Sequence, residues 1–477
     1  MAVRIPFGPD TWWHLRSGQY IIENLTIPTT DPFSHSKIGT LWIDHSWLAQ
    51  IFWYILYAVG GWTILALTVA GLAAFAFWLV WKQIEGNIFI AAFAMIVGAV
   101  VSSVGWIARP QMLSFVLTAV VAYLLYRFKW RGARLWPWLP LIMLLWANVH
   151  GGFAIGFMLM LAYLVGEVAN NITAHKNNPV VIWPRLKHLL MVIVISAAVV
   201  ALNPYTWRMW FYPFQTVGIG ALRDFIQEWQ SPDFHLVYTQ PFILMLVLMI
   251  IALARAGCRA DWTDLTLVAL WAGWALFAGR NIAIFGLVTT PILARYADLA
   301  WTRQWQVWGY ERIPLSTDTH LSYRSRFISR LNWVLLGLIV IAALIKIVIP
   351  LNPQTNLKVE QETLPYQAVE FIKNNHPPGP MFNSYNWGGY LIFKLWPEYP
   401  VYIDGRTDLY DDAFIRRYID VMVANDGWQQ TLAEDGINLV FVETNSTLAK
   451  FLRQNPAWIE IYRDETAIIF NRKESLP

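Results

Sequence analysis

Eleven apolar runs, separated by short polar or proline- and glycine-bearing segments, limit what this chain can fold into. They lie near residues 47–60, 62–81, 88–106, 111–126, 135–148, 152–169, 188–202, 238–254, 264–279, 281–298 and 331–350. A helix needs roughly 17–25 apolar residues to cross a bilayer, so the first and fifth runs are short and the others come close or qualify. Only helices and closed barrels satisfy every backbone polar group in lipid. The expected fold is a polytopic α-helical membrane protein of about 10–11 membrane segments. Composition agrees: 14% of the residues are charged, where a soluble domain carries about a quarter. The 28 tryptophans suit interfacial belts at many helix ends.

Lysine and arginine in the connecting loops give the orientation. Arg127, Lys129, Arg131 and Arg134 crowd one loop, Lys176, Arg185 and Lys187 a second, and Arg255 and Arg259 a third. Arg295, Arg303, Arg312, Arg324, Arg326 and Arg330 crowd a fourth, and all four belong on the cytoplasmic side. The intervening segments then face outward, as does everything after Pro350. Three regions follow: residues 1–46 as an extracytoplasmic loop with an interfacial helix from Gln19, 47–350 as the bundle, and 351–477 as an extracytoplasmic domain. One count fails, because four runs lie between residue 46 and Arg127 where an odd number of crossings is required. A broken or non-crossing segment, with Arg109-Pro110 as a candidate break, reconciles it. An outward loop at the start also needs something upstream to carry it across, and Met1–Phe7 holds no such segment.

Beyond Leu364 the texture changes. Short β-rich runs at Val401–Ile403, Leu439–Val442, Ile459–Tyr462 and Ala467–Phe470 alternate with helix-like stretches near 366–374, 411–424 and 446–454. That alternation predicts a soluble α/β domain.

The stretch Asp10-Thr-Trp-Trp-His-Leu-Arg-Ser-Gly18 sets an acid, a histidine, an arginine and two indoles before the first run. Asp10 reads either as a helix N-cap or as an acid that takes a proton from an attacking hydroxyl. His14 and His45 read as bases, ligands or satisfied interfacial histidines, and Arg16 shares their loop. His150, in the turn Asn148-Val-His-Gly-Gly152, is a candidate for lining a site. Glu228 beside Trp229 repeats the pairing of acid and indole, or is a solvated loop acid. Arg280, between two apolar runs, is suited to gripping a phosphate or snorkelling to headgroups, and Arg109 has the same two readings. In the soluble domain Trp387 and Tyr390 are candidates for stacking on a sugar, with Asp404, Arg406 and Asp408 for binding hydroxyls; Asp404-Gly405 is equally a turn. No Walker A, GxGxxG, HExxH or nucleophile-elbow motif is present, and a net charge of +4 carries no nucleic-acid signal. The single Cys258 excludes an internal disulfide and a thiolate cluster.

With these residues in view the chain resembles the GT-C superfamily of integral-membrane glycosyltransferases, which includes oligosaccharyltransferases, protein mannosyltransferases and aminoarabinose transferases. The acidic stretch Asp10-Thr-Trp-Trp-His-Leu-Arg16, the many short-looped helices and the outer C-terminal domain carry the resemblance. Asn386-Trp-Gly-Gly-Tyr390 is faintly similar to the oligosaccharyltransferase WWDYG motif, with glycine in place of its aspartate and asparagine in place of one tryptophan. The resemblance implies sugar transfer, at the outer face of the cytoplasmic membrane, from a polyprenyl-phosphate-linked donor to a glycan or protein acceptor. Asp10 would be the base or the acceptor-orienting acid, Arg280 with Arg109 would hold the lipid phosphate, and Glu228 would be a second acid. A divalent cation, Mg or Mn, would enter if the enzyme follows the oligosaccharyltransferases; the residues themselves call for no cofactor. The alternatives are a transporter or flippase of lipid-linked glycans, and an envelope scaffold.

Overall fold

The computed structural model describes residues 8–174, 183–307, 330–345 without 332 and 335, and 352–473. Met1–Phe7, Lys176, Arg312, Arg324, Arg326 and the end of the last apolar run at 346–350 lie outside the described residues.

Helix α1 spans Pro9–Asn24, so the Asp10 stretch is helical and continues unbroken through the expected interfacial segment. Its N-cap is Gly8, whose amide donates to Thr11 Oγ1 at 3.0 Å. Pro9 takes the first helical position, where its missing N–H is no loss. Asp10 comes two residues too late to be the cap, and its carboxylate is left to tertiary partners.

The runs at 47–60 and 62–81 form one element, α2 (Trp47–Trp81), kinked where Gly60 and Gly61 leave helical geometry. Gly61, at φ 57° and ψ −148°, occupies backbone space that a side chain forbids. With α3 (Ile88–Ser102) and α4 (Pro110–Arg131), three helices long and apolar enough to span now precede the basic loop after α4. That odd number agrees with the charge rule. The break lies at the paired glycines; Arg109-Pro110 instead starts α4, with proline again at the first helical position.

The bundle continues with α5 (Trp138–Val149), α6 (Ala154–Ala174) and α7 (Trp183–Val200). The short α8 (Arg208–Gly218) and α9 (Gly220–Phe225) follow, then α10 (Gln240–Arg255), α11 (Trp262–Phe277) and α12 (Ile282–Val307). Residues Leu336–Ile345 form a further apolar helix, α13. Six helices among the described residues are long and apolar enough to cross a membrane, and the chain is an integral membrane protein. The basic loops meet at one end: Lys129 bonds Glu167, lies 3.0 Å from Asp261 and donates to Thr263 at 2.9 Å. Arg295 pairs with Asp264 at 2.7 Å beside them. The starts of α1, α4, α6 and α12 gather at the other.

At that other end sits the α/β domain: α14 (Pro353–Thr363), α15 (Tyr366–Asn375), β1 (Met381–Asn383), α16 (Gly388–Leu395), α17 (Asp412–Met422) and α18 (Trp428–Glu434) come first. Then come β2 (Leu439–Glu443), α19 (Thr447–Leu452), β3 (Trp458–Arg463) and β4 (Ala467–Arg472). The sheet order is β1-β2-β4-β3, with β1 parallel to β2 and the other pairs antiparallel. Val401–Ile403 is not among its strands. Val401 bonds residues of the N-terminal segment instead, giving its carbonyl to His35 and its amide to Phe33 at 3.0 and 3.2 Å. Trp396 donates to the Pro32 carbonyl at 2.8 Å, and α16 packs on α1 through Trp12 and Tyr390, ring centroids 4.9 Å apart. The α9 segment is tied to α17 by Asp412, which accepts from the Ala221 amide at 2.6 Å, and by Arg416, which pairs with Asp224 at 2.6 Å.

Candidate active site

Arg109 is the centre of the site. It stands in extended conformation just ahead of Pro110, after a tight turn at 103–105, and this projects its side chain towards the first turn of α1. One guanidinium nitrogen donates to Asp10 Oδ2 at 2.8 Å, and the other lies 3.5 Å from Glu228 Oε2. Two acids drawn from 218 positions of sequence thus share one cation. The Arg109 Nε is buried and has no hydrogen-bond partner among the described residues, a donor still open to an acceptor.

Asp10 also accepts from the Trp13 indole at 3.2 Å. Burial raises its pKa, Arg109 opposes the rise, and Glu228 adds to it. Burial also works to raise Glu228, but Arg109 and Arg280 outweigh it and hold that carboxyl below its usual range. For Arg109, burial works against the charge, and Glu228 and Asp10 together keep the pKa above its ordinary value. The two acids are thereby pushed apart in basicity, Asp10 upward and Glu228 downward.

Arg280 occupies a tight turn at Gly279–Asn281 that is held to the Glu228 turn by the Gly279 amide, which donates to the Gln230 carbonyl at 3.0 Å. Its guanidinium lies 4.1 Å over the Trp229 ring and forms no ion pair among the described residues. The indole supports the cation from one side and leaves the other open.

His150 lies near this group, its Nδ1 accepting from the Gly152 amide at 2.9 Å and from Ser114 at 2.8 Å. Both bonds leave the ring proton on Nε2. His45 stacks on Tyr212, centroids 4.3 Å apart, and stands 5.5 Å from the His150 ring. Burial lowers the His45 pKa to about 3, so it is neutral at physiological pH.

Five expected residues are placed elsewhere. Arg16 lies over Trp396 at 4.6 Å and bonds Gln19, on the side of α1 away from Asp10. Trp387 and Tyr390 are core residues, 6% and 1% exposed, and the Tyr390 hydroxyl donates to Glu360; neither has a free face for a sugar. Asp404 and Arg406 are fully buried, with Arg406 clamped between Asp404 and Asp31 at 2.7 and 2.5 Å and stacked near Trp42. They join the N-terminal segment to the α/β domain and reach no solvent. His14 is buried near the site, packed on Trp13 with its Nδ1 3.5 Å from Gln50 Nε2; burial holds it neutral.

Gly405, in the same turn, presses against Asp10: a Cβ at this position would stand 2.0 Å from Asp10 Oδ1 and 3.1 Å from Trp13 Nε1. Tyr385 is a site residue that no sequence motif marks. Burial, then the charges of Asp10 and Glu228, push its pKa well above the usual range, so its phenol is protonated in the field of both acids. The one available signal is its position two residues before Trp387 in an unusually polar run.

No three His, Cys, Asp or Glu side chains among the described residues are arranged to hold a metal ion. Asp10 and Glu228 converge on a guanidinium, which fills the position a divalent cation between them would need. The residues as arranged do not fit a metal, and no step below runs through one.

The fold, a helical membrane bundle with an appended α/β domain, is similar to that of solved structures at low sequence identity. The archaeal oligosaccharyltransferase AglB from Archaeoglobus fulgidus, in complex with an inhibitory peptide and a dolichol-phosphate, superposes with TM-score 0.53 at 12% identity, covering 100% of this chain and 71% of that one. ArnT from Cupriavidus metallidurans bound to undecaprenyl phosphate gives TM-score 0.51 at 13% identity, over 98% of this chain and 95% of that one. No family model and no curated protein sequence matches the chain.

Proposed function

We propose that this protein transfers a sugar from a polyprenyl-phosphate-linked donor to a hydroxyl or amide acceptor at the outer face of the cytoplasmic membrane. The observation that carries the reading is Arg109, which pairs with Asp10 and Glu228 and keeps its Nε unpartnered. The polyprenyl phosphates bound to the two structural neighbours support the donor class.

Asp10 accepts the proton of the acceptor as its oxygen or nitrogen attacks the anomeric carbon. The bond from that carbon to the lipid phosphate breaks, and the leaving phosphate takes the electron pair. Arg280 and Arg109 meet the growing negative charge with guanidinium donors, a bidentate geometry suited to phosphate. Glu228 keeps Arg109 oriented until the phosphate arrives, and Trp229 supports Arg280. Burial serves the base, since a carboxylate of raised pKa holds a proton better than a solvated one.

The test is release of undecaprenyl phosphate from lipid-linked sugars by the purified chain and its Asp10→Asn variant. Asparagine is nearly isosteric and keeps one acceptor oxygen, enough for one of the two donors, Trp13 or Arg109. Turnover falls by roughly 10²–10⁴-fold if Asp10 is the base. Wild-type turnover in Asp10→Asn would leave the mechanism without one.

A further inference from the structure

A second cavity, of about 500 Å³, opens beside this site between α8, the strand-like segment at 41–43 and the turn at 408–411. Its volume falls within the range of small-molecule sites. Its polarity is graded. At the floor the Tyr212 hydroxyl and the Asp408 carboxylate both line the cavity, and His45 Nε2 lies 3.4 Å behind that hydroxyl. At the mouth Leu41, Trp207 and Phe211 are 59%, 63% and 54% exposed. Trp207, Phe211 and Phe214, the last 76% exposed, recur at helical spacing and give α8 one apolar face beside the exposed Arg208. A short helix with this division lies in the plane of a membrane interface. The floor adjoins the catalytic centre, because Asp408 follows Gly405 by three residues and Gly405 abuts Asp10.

We infer that this cavity receives the acceptor, and that the acceptor is an amphiphile whose hydroxylated head reaches Asp408 while its apolar tail leaves over Trp207 and Phe211. The word acceptor rests on the transferase reading; the ligand chemistry rests on the cavity. A soluble saccharide would have no use for three large apolar side chains at the mouth. A peptide held as an added strand would need a sheet edge, and neither edge strand, β1 or β3, lines the cavity. A carboxylate that lines the cavity is an acceptor for sugar hydroxyls, and a neutral amide in its place binds them less strongly.

The experiment uses the full chain in lipid nanodiscs, without donor, and a dodecyl glucoside carrying a photoactivatable diazirine in its tail. Crosslinks are expected to concentrate in residues 205–219 and 408–411. Excess dodecyl maltoside should suppress them and free maltose should not. Asp408→Asn should reduce labelling about tenfold, as loss of a charge-assisted bond would. Phe211→Ala, on an exposed face where folding is not at risk, should reduce it too. Equal competition by free maltose would replace the amphiphile with a soluble saccharide and overturn the inference. Equal labelling by the same diazirine chain on phosphocholine, unaffected by Asp408→Asn, would reduce the cavity to a lipid contact and overturn it as well. Loss of lipid-phosphate turnover in Asp10→Asn is read separately, so either reading can fail while the other stands.

Discussion

Gly405 and Asp10 touch so closely that one added methyl group would stand 2.0 Å from the Asp10 carboxylate oxygen. The backbone at Gly405 does not need positive φ, so alanine is conformationally allowed there and only the carboxylate has to give way. Gly405→Ala is therefore expected to turn Asp10 away from Trp13 and Arg109. Transfer activity should fall at least tenfold, while stability falls by about 1–3 kcal/mol for a local overpacking. Unchanged activity would show that the position of Asp10 is not critical.

Arg109→Gln removes the cation shared by two carboxylates and leaves them facing each other. Breaking a fully buried pair costs about 3–5 kcal/mol. Glu228 is 39% exposed, so a loss of about 1–3 kcal/mol is expected here. In the variant both acids titrate upward, and the loss should be smaller at pH 5 than at pH 7.5, because protonation relieves their repulsion. Thermal unfolding at the two pH values measures this, and adding Asp10→Asn should recover part of the loss. An equal loss at both pH values would show that packing, not charge, is at stake.

Arg280→Ala removes a cation supported by an indole and used by no ion pair among the described residues. Folding should hardly notice. Binding of undecaprenyl phosphate to the purified chain should weaken by about ten- to a hundredfold, the worth of one or two charge-assisted contacts. Unaltered binding would take Arg280 out of the donor site.

Asp44 is 1% exposed, accepts from Gln50 at 2.6 Å through one oxygen, and has no partner for the other. Burial raises its pKa to about 7. The folded state then holds a proton that the unfolded state releases near pH 4, and stability falls as pH climbs from about 4 to 7. Asp44→Asn removes the titration, so the variant should lose its share of that fall and be more stable than wild type at pH 8, by about 4 kcal/mol at most. Thermal midpoints across the pH range decide it; parallel curves would mean that Asp44 is not the titrating group.

The apolar runs were enough to read a helical bundle, because spanning length and loop charge are local properties of the chain. What was lost was also physical. Gly60-Gly61 looks like an ending between two helices, yet the chain passes through it as a kink. Met381–Asn383 is too short to show alternation, and Val401–Ile403 has strand composition but meets the backbone of residues 33–35 rather than a strand. Asp10, Arg109, Glu228 and Arg280 stood out singly as charges beside apolar or indole neighbours. Their bridge could not be seen, since its partners are 99 positions or more apart. Trp387, Tyr390, Asp404 and Arg406 have the composition of a sugar site and the burial of a core. Residue type alone does not separate the two.

The clamp of Arg406 on Asp31 has a consequence for the order in which the protein is made. Asp31 leaves the ribosome 375 residues before its partner exists. At common elongation rates of 5–20 residues per second that is a wait of roughly 20–75 s. Throughout it, Phe33, Trp42 and an unpaired carboxylate must sit at the membrane surface without the surface built to cover them. The last hundred residues do not fold as an appendage that could be clipped off and studied alone. They close over a piece of chain translated earlier, so the two segments are answerable to each other, and an error in either leaves Asp10 without its wall.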